Sequence, residues 1–255
     1  MKNQYVGDIG DFGKYGLLSF LAKKGISIGV NWYLTDKDDT NDGKFTDYLK
    51  DDYKIDYSHY DEILFNKLKR IVNKGRNNKR VQDIENENII QNAVYFNKAL
   101  DRVSTIKNRN ERIYKRTNWH NKAKTVLLLK NVNLVFADPD NGSAEGVSSR
   151  KNGEKYAELS ELRDYYDEGK NVVYYCHKAR RKENKWKEKY NEFNNDGKHN
   201  AKIIVLTFHR GTQRSYIFAI HPEDYNKYDK LINKFLKTSW GLTDEKKTPM
   251  FTREQ

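Results

Sequence analysis

The sequence predicts an α/β fold, a Rossmann-like, doubly wound and mostly parallel sheet that ends in an antiparallel hairpin. Runs of apolar and β-branched residues alternate with amphipathic helical segments, which is typical of parallel sheets covered by helices. The last two apolar runs, 203–208 and 215–220, are separated by only six residues, and so short a connection indicates a hairpin. At 255 residues the chain is long enough to fold as one α/β domain, spanning 1–255.

The elements follow in order from the hydrophobic pattern. A polar, glycine-rich segment opens the chain, and a helix with Tyr15, Leu17, Leu18 and Leu21 near one face follows it. Strands are predicted at 26–34, 132–137, 171–177, 203–208 and 215–220, and further helices at 60–72, 89–103, 154–168, 180–193 and 222–236. Residues 44–125 contain no clear strand, so we interpret them as a helical, basic insertion or cap.

Positive charge is concentrated in the middle of the chain. The formal net charge is +12, and residues 69–124 alone contain 15 basic and 5 acidic residues, a net of +10. A concentrated basic field favours a polyanion, for which nucleic acid is the usual identity. A solvated, lysine-rich surface is the alternative interpretation. We expect a nucleic-acid partner, with DNA preferred over RNA.

Cysteine usage and hydropathy indicate the cellular compartment in which we expect the protein. The single cysteine, Cys176, excludes an internal disulfide and a cysteine-based zinc site, and its apolar surroundings predict a buried side chain. No apolar run approaches the roughly 20 residues that cross a bilayer, and the N-terminus lacks the apolar block of a signal peptide. We therefore expect a soluble, cytoplasmic protein without membrane contact. The composition leaves its oligomeric state open.

An acidic turn, Asp138-Pro139-Asp140-Asn141-Gly142, follows the strand predicted at 132–137. In open α/β sheets, ligands bind just beyond the carboxyl ends of the strands, where this turn would present its acids. A plain strand-to-loop turn is the alternative, because these residue types all favour turns. His177 ends a later strand at the same edge and could donate a proton or bind phosphate, unless it is structural. The candidate catalytic residues are therefore Asp138, Asp140, Asn141 and His177, with no metal ligands assigned.

Other polar residues could reach the same edge of the sheet. The candidates for a substrate pocket come from the N-terminal segment and from the loop after the first strand: Tyr5, Asp8, Asp11 and Asp36. The candidates for nucleic-acid binding are basic or amide residues of the N-terminal helix, the basic segments and the hairpin turn: Lys14, Arg112, Lys115, Arg116, Lys178, Arg180, Arg181, Arg210, Gln213 and Arg214. A helix cap, surface ion pairs and a solvated turn are the simpler explanations of these residues.

Two segments resemble bacterial ribosomal-RNA adenine-N6 methyltransferases. Residues 7–18, GDIGDFGKYGLL, are similar to the N-terminal motif of that family, and Asp138-Pro139-Asp140-Asn141 resembles its Asp-Pro-Pro-Tyr loop. The order of elements, with a terminal hairpin, is also similar to the class I methyltransferase fold. The resemblance implies S-adenosylmethionine as cofactor and a nucleic-acid base as substrate, held by the 138–141 loop. It covers the two ends of the fold and not the middle.

The chain departs from that family at its cofactor turn. Residues 35–40, which follow the first strand, contain no glycine, and Asp140 and Asn141 replace a proline and a tyrosine of the base loop. These departures favour chemistry that needs only water, without a cofactor. One such reaction is hydrolysis of an N-glycosidic bond, and another is phosphodiester cleavage with a divalent metal.

A looser similarity favours the first reaction. Uracil-DNA glycosylases also use an acid-proline turn after a strand and a histidine after a later strand, which Asp138-Pro139 and His177 resemble. We therefore expect a cofactor-independent DNA glycosylase, an activity that would suit defence against phages with modified DNA. The alternatives are a methyltransferase that uses S-adenosylmethionine and a non-catalytic nucleic-acid-binding protein.

Overall fold

The computed structural model describes residues 1–35, 43, 45–100, 103–178, 181–243 and 248–254. The strands in this part of the chain are β1 (Ile28–Asn31), β2 (Val94–Phe96), β3 (Leu134–Ala137), β4 (Gly142–Ala144), β5 (Tyr156–Glu158), β6 (Asn171–His177), β7 (Lys202–Phe208), β8 (Arg214–Ile220) and β9 (Phe251–Arg253). The α-helices are α1 (Ile9–Lys23), α2 (Glu62–Asn73), α3 (Val81–Asn86), α4 (Arg109–Leu128), α5 (Leu159–Asp167), α6 (Glu183–Lys187) and α7 (Tyr225–Leu236).

The main sheet has seven strands in the order β2-β1-β3-β6-β8-β7-β9. The first four are parallel, β8 lies antiparallel between β6 and β7, and β9 pairs antiparallel with β7 at the edge. Strands β4 and β5 form a separate parallel pair. The predicted Rossmann-like α/β fold with a C-terminal antiparallel hairpin is therefore confirmed.

Apolar side chains cover both faces of the sheet. Successive residues of β3 point to opposite faces, as in any strand: Leu134 and Phe136 pack in the core that contains α1, α2 and α7, whereas Val135 and Ala137 pack in the core that contains α4 and α5. Burial on both faces explains why the parallel strands are continuously apolar in the sequence. The sheet is thus the middle layer of three.

The middle of the chain differs from its prediction. Residues 44–125 are not entirely helical, because they contribute β2, which pairs with β1. The helix predicted at 89–103 is wrong, since Asn88 and Asn92 have φ values of 46° and 56°, left-handed conformations that interrupt a right-handed helix. The apolar run after Asn92 forms β2 instead.

Other predicted elements also differ from the structure in their bounds. The helix predicted at 154–168 begins only at Leu159, because β5 occupies Tyr156–Glu158. The helix predicted at 180–193 consists of α6 followed by a 3-10 helix, Glu188–Asn194. The C-terminal segment, for which no strand was predicted, contributes β9. Among the described residues, none of the helices has the length and apolar character to cross a membrane.

Candidate active site

A cavity of about 530 Å³ lies at the carboxyl edge of the parallel strands. The register of the sheet explains why candidate residues meet there. His177, the last residue of β6, pairs with Arg214, the first of β8, while Asp138 directly follows β3. The N-terminal segment and the start of α1 close the other side. The lining residues are Met1, Lys2, Tyr5, Asp8, Gly10, Asp11, Lys14, Gly43, Phe45, Asp138, Pro139, Asp140, Asn141, Lys155, Tyr175, His177, Thr212 and Arg214.

A buried ion cluster joins α1 to the end of β3. Lys14 Nζ lies 2.7 Å from Asp11 Oδ1 and 2.6 Å from Asp138 Oδ2, and all three side chains are at most 5% exposed. Burial alone would lower the pKa of Lys14, but Asp11 and Asp138 raise it above its ordinary value. Burial raises the pKa of Asp138, and Lys14 opposes this only in part. Lys14 therefore stays protonated, and Asp138 is a stronger base than an exposed aspartate.

Asp140 lies against the N-terminal residues. Its Oδ1 is 2.6 Å from the Met1 nitrogen, and its Oδ2 is 3.6 Å from Lys2 Nζ and accepts a hydrogen bond from Thr35 Oγ1 at 3.4 Å. The following Asn141 is fixed through its backbone, whose N–H donates to Lys155 O at 2.9 Å. The loop that the sequence singled out is thus held by the N-terminal residues and by the backbone of Lys155.

Gly142 lets this loop pack on β6. Its φ is 114°, and a Cβ at this position would lie 2.9 Å from Cys176 Sγ. Only glycine combines that conformation with so close an approach. Cys176 is 1% exposed, as its apolar surroundings predicted.

The first turn of α1 forms another wall. Asp8 caps the helix by accepting hydrogen bonds from the Gly10 and Asp11 backbone N–H groups at 2.7 and 3.3 Å. Burial raises the pKa of Asp8, and the neighbouring Arg214 partly opposes this. Asp11 Oδ2 accepts from the Gly7 N–H at 3.1 Å. Two of the predicted pocket acids, Asp8 and Asp11, therefore line the cavity and also hold the backbone of this turn.

His177 and Tyr175 stand side by side on β6. The Tyr175 hydroxyl lies 3.2 Å from His177 Nδ1, and both side chains line the cavity while being only partly buried. This contact orients the imidazole ring, which a proton donor or acceptor requires.

Met1 fills the topological switch point of the sheet, the crevice between β1 and β3. The Met1 nitrogen donates to Tyr33 O at 3.1 Å and to Asp138 O at 3.0 Å, and Met1 O accepts from the Thr35 N–H at 3.0 Å. Met1 is 3% exposed. A doubly wound sheet binds nucleotide cofactors at this crevice, so these residues do not fit S-adenosylmethionine there.

The predicted site residues separate into two groups. The structure brings together the four catalytic candidates and several others around the cavity: Asp138, Asp140, Asn141, His177, Tyr5, Asp8, Asp11, Lys14 and Arg214. Asp36 and Arg180 lie outside the described residues. The remaining candidates do not line the cavity: Arg112, Lys115, Arg116, Lys178, Arg181, Arg210 and Gln213.

Two predicted nucleic-acid contacts, Arg112 and Arg116, have a structural role instead. Arg116 is 1% exposed, binds Glu161 at 2.7 Å and donates to the backbone oxygens of Gly153 and Tyr156. Arg112 donates to Ser149 O through Nε and Nη2 and is 8% exposed. Their guanidinium groups tie the loops around β4 and β5 to α4. Lys115, between them, is partly exposed.

The candidates near β6 and the hairpin have local partners. Lys178 forms an ion pair with Glu183, and its N–H donates to Gln213 O at 3.2 Å. Arg181 Nη1 donates to His177 O at 2.7 Å. Arg210 Nη2 donates to Thr248 O at 2.7 Å. The four candidates of this group are partly exposed and lie at the same edge of the sheet: Lys178, Arg181, Arg210 and Gln213.

Several cavity residues were not among the candidates from the sequence, including Met1, Lys2, Phe45, Lys155, Tyr175 and Thr212. Phe45 is 60% exposed, whereas its backbone oxygen accepts the Ile9 N–H at 2.9 Å. An isolated phenylalanine in a polar segment was the available signal, because exposed aromatic side chains often mark binding sites.

Comparison with known proteins adds no assignment to this geometry. No model of a known protein family matches the chain, and no curated protein matches it in sequence. The functional argument therefore depends on the residues of the cavity.

Proposed function

We propose that the protein is a cofactor-independent hydrolase acting on nucleic acid, and specifically a DNA glycosylase that cleaves the bond between a base and its sugar. One observation carries this proposal: a buried carboxylate, Asp138, shares a cavity with a histidine and an arginine, His177 and Arg214. Glycosidic hydrolysis needs a carboxylate that binds water and offsets positive charge on the sugar, and a donor that stabilises the departing base.

Asp138 has the features of the water-binding group. Its Oδ2 accepts from Lys14 at 2.6 Å, and the carboxyl group lines the cavity. In the proposed reaction, water held by the Asp138 carboxylate attacks C1′ of the sugar and gives a proton to Asp138, and the electron pair of the glycosidic bond moves to the base nitrogen. His177 is the candidate donor of a proton to that base. Lys14 is protonated, so it is not the nucleophile.

The cavity has the size and lining that suit a nucleotide. Ligand sites typically occupy about 300–1,000 Å³, and this one is about 530 Å³. Tyr5, Phe45 and Tyr175 offer aromatic faces on which a base could stack. An enzyme that acts on a base must take it out of the duplex or bind it single-stranded, and a cavity of this size is what such a base requires.

The surrounding charge supports a nucleic-acid substrate. Because α4 connects two parallel strands, β2 and β3, its N-terminal end lies at the carboxyl edge, and Arg109 and Lys115 are in its first two turns. Lys178 and Arg181 are at the same edge, at the end of β6. Cytoplasmic DNA is the proposed partner, and defence against phages with modified bases is a role that would suit this activity.

A methyltransferase is the second candidate, and one observation favours it. Strand β8 lies antiparallel beside β6, as expected from the resemblance to class I methyltransferases, and the Asp138-Pro139 loop follows β3 at the cavity. Met1 in the switch-point crevice counts against a cofactor there. A non-catalytic nucleic-acid-binding protein is the third candidate.

Strand cleavage by hot alkali tests the proposal. End-labelled single- and double-stranded DNAs, with natural and modified bases, are incubated with the protein without added cofactor and then heated in alkali, which breaks the chain at abasic sites. We expect alkali-dependent breaks at one type of base, and none with the Asp138→Asn variant. Breaks that need no alkali would indicate phosphodiester cleavage, and intact DNA throughout would contradict the glycosylase assignment.

A further inference from the structure

The guanidinium group of Arg214 is seated on the first turn of α1. A Cβ at Gly10 would lie 1.0 Å from Arg214 Nη1, so any larger residue at position 10 would displace the guanidinium group. Arg214 is 8% exposed and lines the cavity. Its position is therefore fixed by the absence of a side chain on the neighbouring helix, at a point where the cavity wall is formed.

The N–H donors of this guanidinium group make only long hydrogen bonds or none among the described residues. Nη1 is 3.5 Å from Asp8 Oδ1, Nη2 donates to Thr212 Oγ1 at 3.3 Å, and the buried Nε has no partner among the described residues. Asp8 Oδ1 already accepts from two backbone N–H groups of α1. An arginine that served only to pair with a carboxylate would form short, bidentate hydrogen bonds. Buried groups with unmet hydrogen-bonding capacity require an explanation, and a ligand is one.

The chemistry of this corner fits a phosphate. Arg214 carries a planar set of five N–H donors that matches two phosphate oxygens, and the exposed Thr212 hydroxyl and the His177 ring lie on the same wall. The nearest carboxylate, Asp8, is held by the helix cap. Asp138 and Asp140 lie on the loop after β3, where Asp138 is paired with Lys14 and Asp140 with the Met1 nitrogen. A nucleotide, which carries a phosphate and a sugar, would match a cavity that contains both Arg214 and this loop.

We infer that Arg214, with Thr212, binds a phosphate that flanks the target nucleotide, so that the backbone of the nucleic acid enters the cavity together with the base. The inference rests on the proposed function for the rest of the substrate. The target is then a nucleotide that is bound through its flanking phosphate. Gly10 allows this subsite to form, because its missing side chain leaves room for the guanidinium group.

Binding of defined oligonucleotides tests this assignment. The probe is a short single-stranded DNA with one tetrahydrofuran abasic-site analogue, which needs no assumption about the base. In two further probes, a neutral methylphosphonate replaces the phosphate on the 5′ or the 3′ side of the analogue. Affinities are measured by fluorescence anisotropy at constant salt for the wild-type protein, Arg214→Gln, Arg214→Lys and Lys24→Gln. Lys24 is exposed at the far end of α1 and serves as a control for loss of one positive charge.

The expected result is non-additive. One methylphosphonate weakens wild-type binding about tenfold or more, Arg214→Gln weakens binding of the natural probe by a similar factor, and the two changes together cost little more than either alone. Arg214→Lys retains part of the affinity, and Lys24→Gln responds like the wild type. Thermal melting of each variant confirms that it is folded.

Two results would overturn the inference. One is wild-type affinity that neither methylphosphonate changes, and the other is an Arg214→Gln loss that is equal for all three probes, which would indicate a purely structural ion pair with Asp8. Base release is measured separately on the parent DNA. Absence of base release with intact phosphate-dependent binding would reject the glycosylase and keep the subsite.

Discussion

Lys14 and Asp138 form a buried ion pair, with 2.6 Å between Nζ and Oδ2, although 124 positions separate them in the chain. The pair fastens the first helix to the end of a central strand at the cavity. Asp11, at 2.7 Å from the same ammonium group, completes the cluster. The candidate catalytic carboxylate is therefore part of the connection between the N-terminal segment and the sheet, and its chemistry and the stability of the fold are linked.

Replacing Asp138 by Asn should affect both activity and stability. Loss of a positioned acid–base group typically lowers a rate by about 10²–10⁴, and we expect base release to fall within that range. The free energy of unfolding should fall by about 1–3 kcal/mol, because Lys14 keeps Asp11 as a partner but loses a charged acceptor. Base-release rates and denaturant unfolding measure the two effects.

Asp229→Asn is the matched control for this prediction. Asp229 forms a partly exposed ion pair with Arg253, away from the cavity, so its neutralisation should leave the rate of base release unchanged. Full activity of Asp138→Asn would show that the cavity is not the active site.

The ion pair between Arg116 and Glu161 should make stability depend on pH. Burial alone would raise the pKa of Glu161, but Arg116 lowers it below the ordinary value of 4.5. A carboxyl group with a lowered folded-state pKa stabilises the fold above its unfolded pKa, and this contribution is lost as the pH falls through the folded value. Wild-type stability should therefore decrease as the pH falls below about 4.5.

Glu161→Gln tests this dependence. Removing one partner leaves a buried guanidinium group without its counter-ion, which typically costs about 3–5 kcal/mol. The variant should be less stable near neutral pH, and its stability should decline less than that of the wild type between about pH 6 and pH 3. Unfolding curves at several pH values provide the measurement. Equal pH dependence of the two proteins would contradict the assignment.

Binding to DNA should weaken steeply as the salt concentration increases. The salt dependence should correspond to fewer phosphate contacts than the net charge of residues 69–124 implies. In residues 69–124, Arg112 and Arg116 are buried, and Lys69, Arg70 and Lys74 are in ion pairs. Each phosphate contact contributes about −0.9 to the slope of log K against log salt. We expect Lys115→Gln to reduce the magnitude of the slope by about one contact.

Arg116→Gln is the comparison for Lys115→Gln, since the two positions are adjacent on α4. The Arg116 variant should lose thermal stability without a change in the salt slope, because its side chain binds Glu161 and the loop backbone. Titrations by fluorescence anisotropy at a series of salt concentrations provide both slopes. A flat salt dependence for the wild type would contradict a phosphate-binding surface.

Phe45 should contribute to binding and not to stability. Its side chain is 60% exposed at the cavity, where a base could stack on it. Loss of one aromatic stacking residue typically costs about 1–3 kcal/mol of binding free energy. Phe45→Ala should therefore weaken binding of single-stranded DNA while leaving the melting temperature almost unchanged. Ile63→Ala, at an exposed apolar position on α2 away from this cavity, is the control and should bind normally.

The acidic turn at 138–142 could be predicted from the sequence because its signal is local. An apolar run predicts the end of a buried strand, and the five residues after it provide the turn and the carboxylates. The contact of Asp138 with Lys14 could not be predicted, since it depends on the order of strands in the sheet. Likewise, Arg214 meets His177 only because β8 pairs with β6 in one register.

Secondary structure was predictable where the pattern was long and periodic. The helix at 60–72 and the strand at 171–177 are close to α2 and β6. Strands β2 and β9 have only three residues each and take their stability from pairing with a neighbour, which local sequence does not contain. The burial of Arg116 could have been predicted from its helical spacing with Trp119, Ala123 and Leu127, which lie on the same buried face of α4.

Mass spectrometry of an intact oligonucleotide tests the central claim most directly. A panel of DNA strands with natural and modified bases is incubated with the protein, with and without S-adenosylmethionine. We expect one strand to lose the mass of a base and gain that of water, to the same extent in both conditions, and to stay intact with Asp138→Asn. A gain of one methyl group that requires S-adenosylmethionine would contradict the account and identify a methyltransferase, and unchanged masses across the panel would contradict it in favour of a non-catalytic nucleic-acid-binding protein.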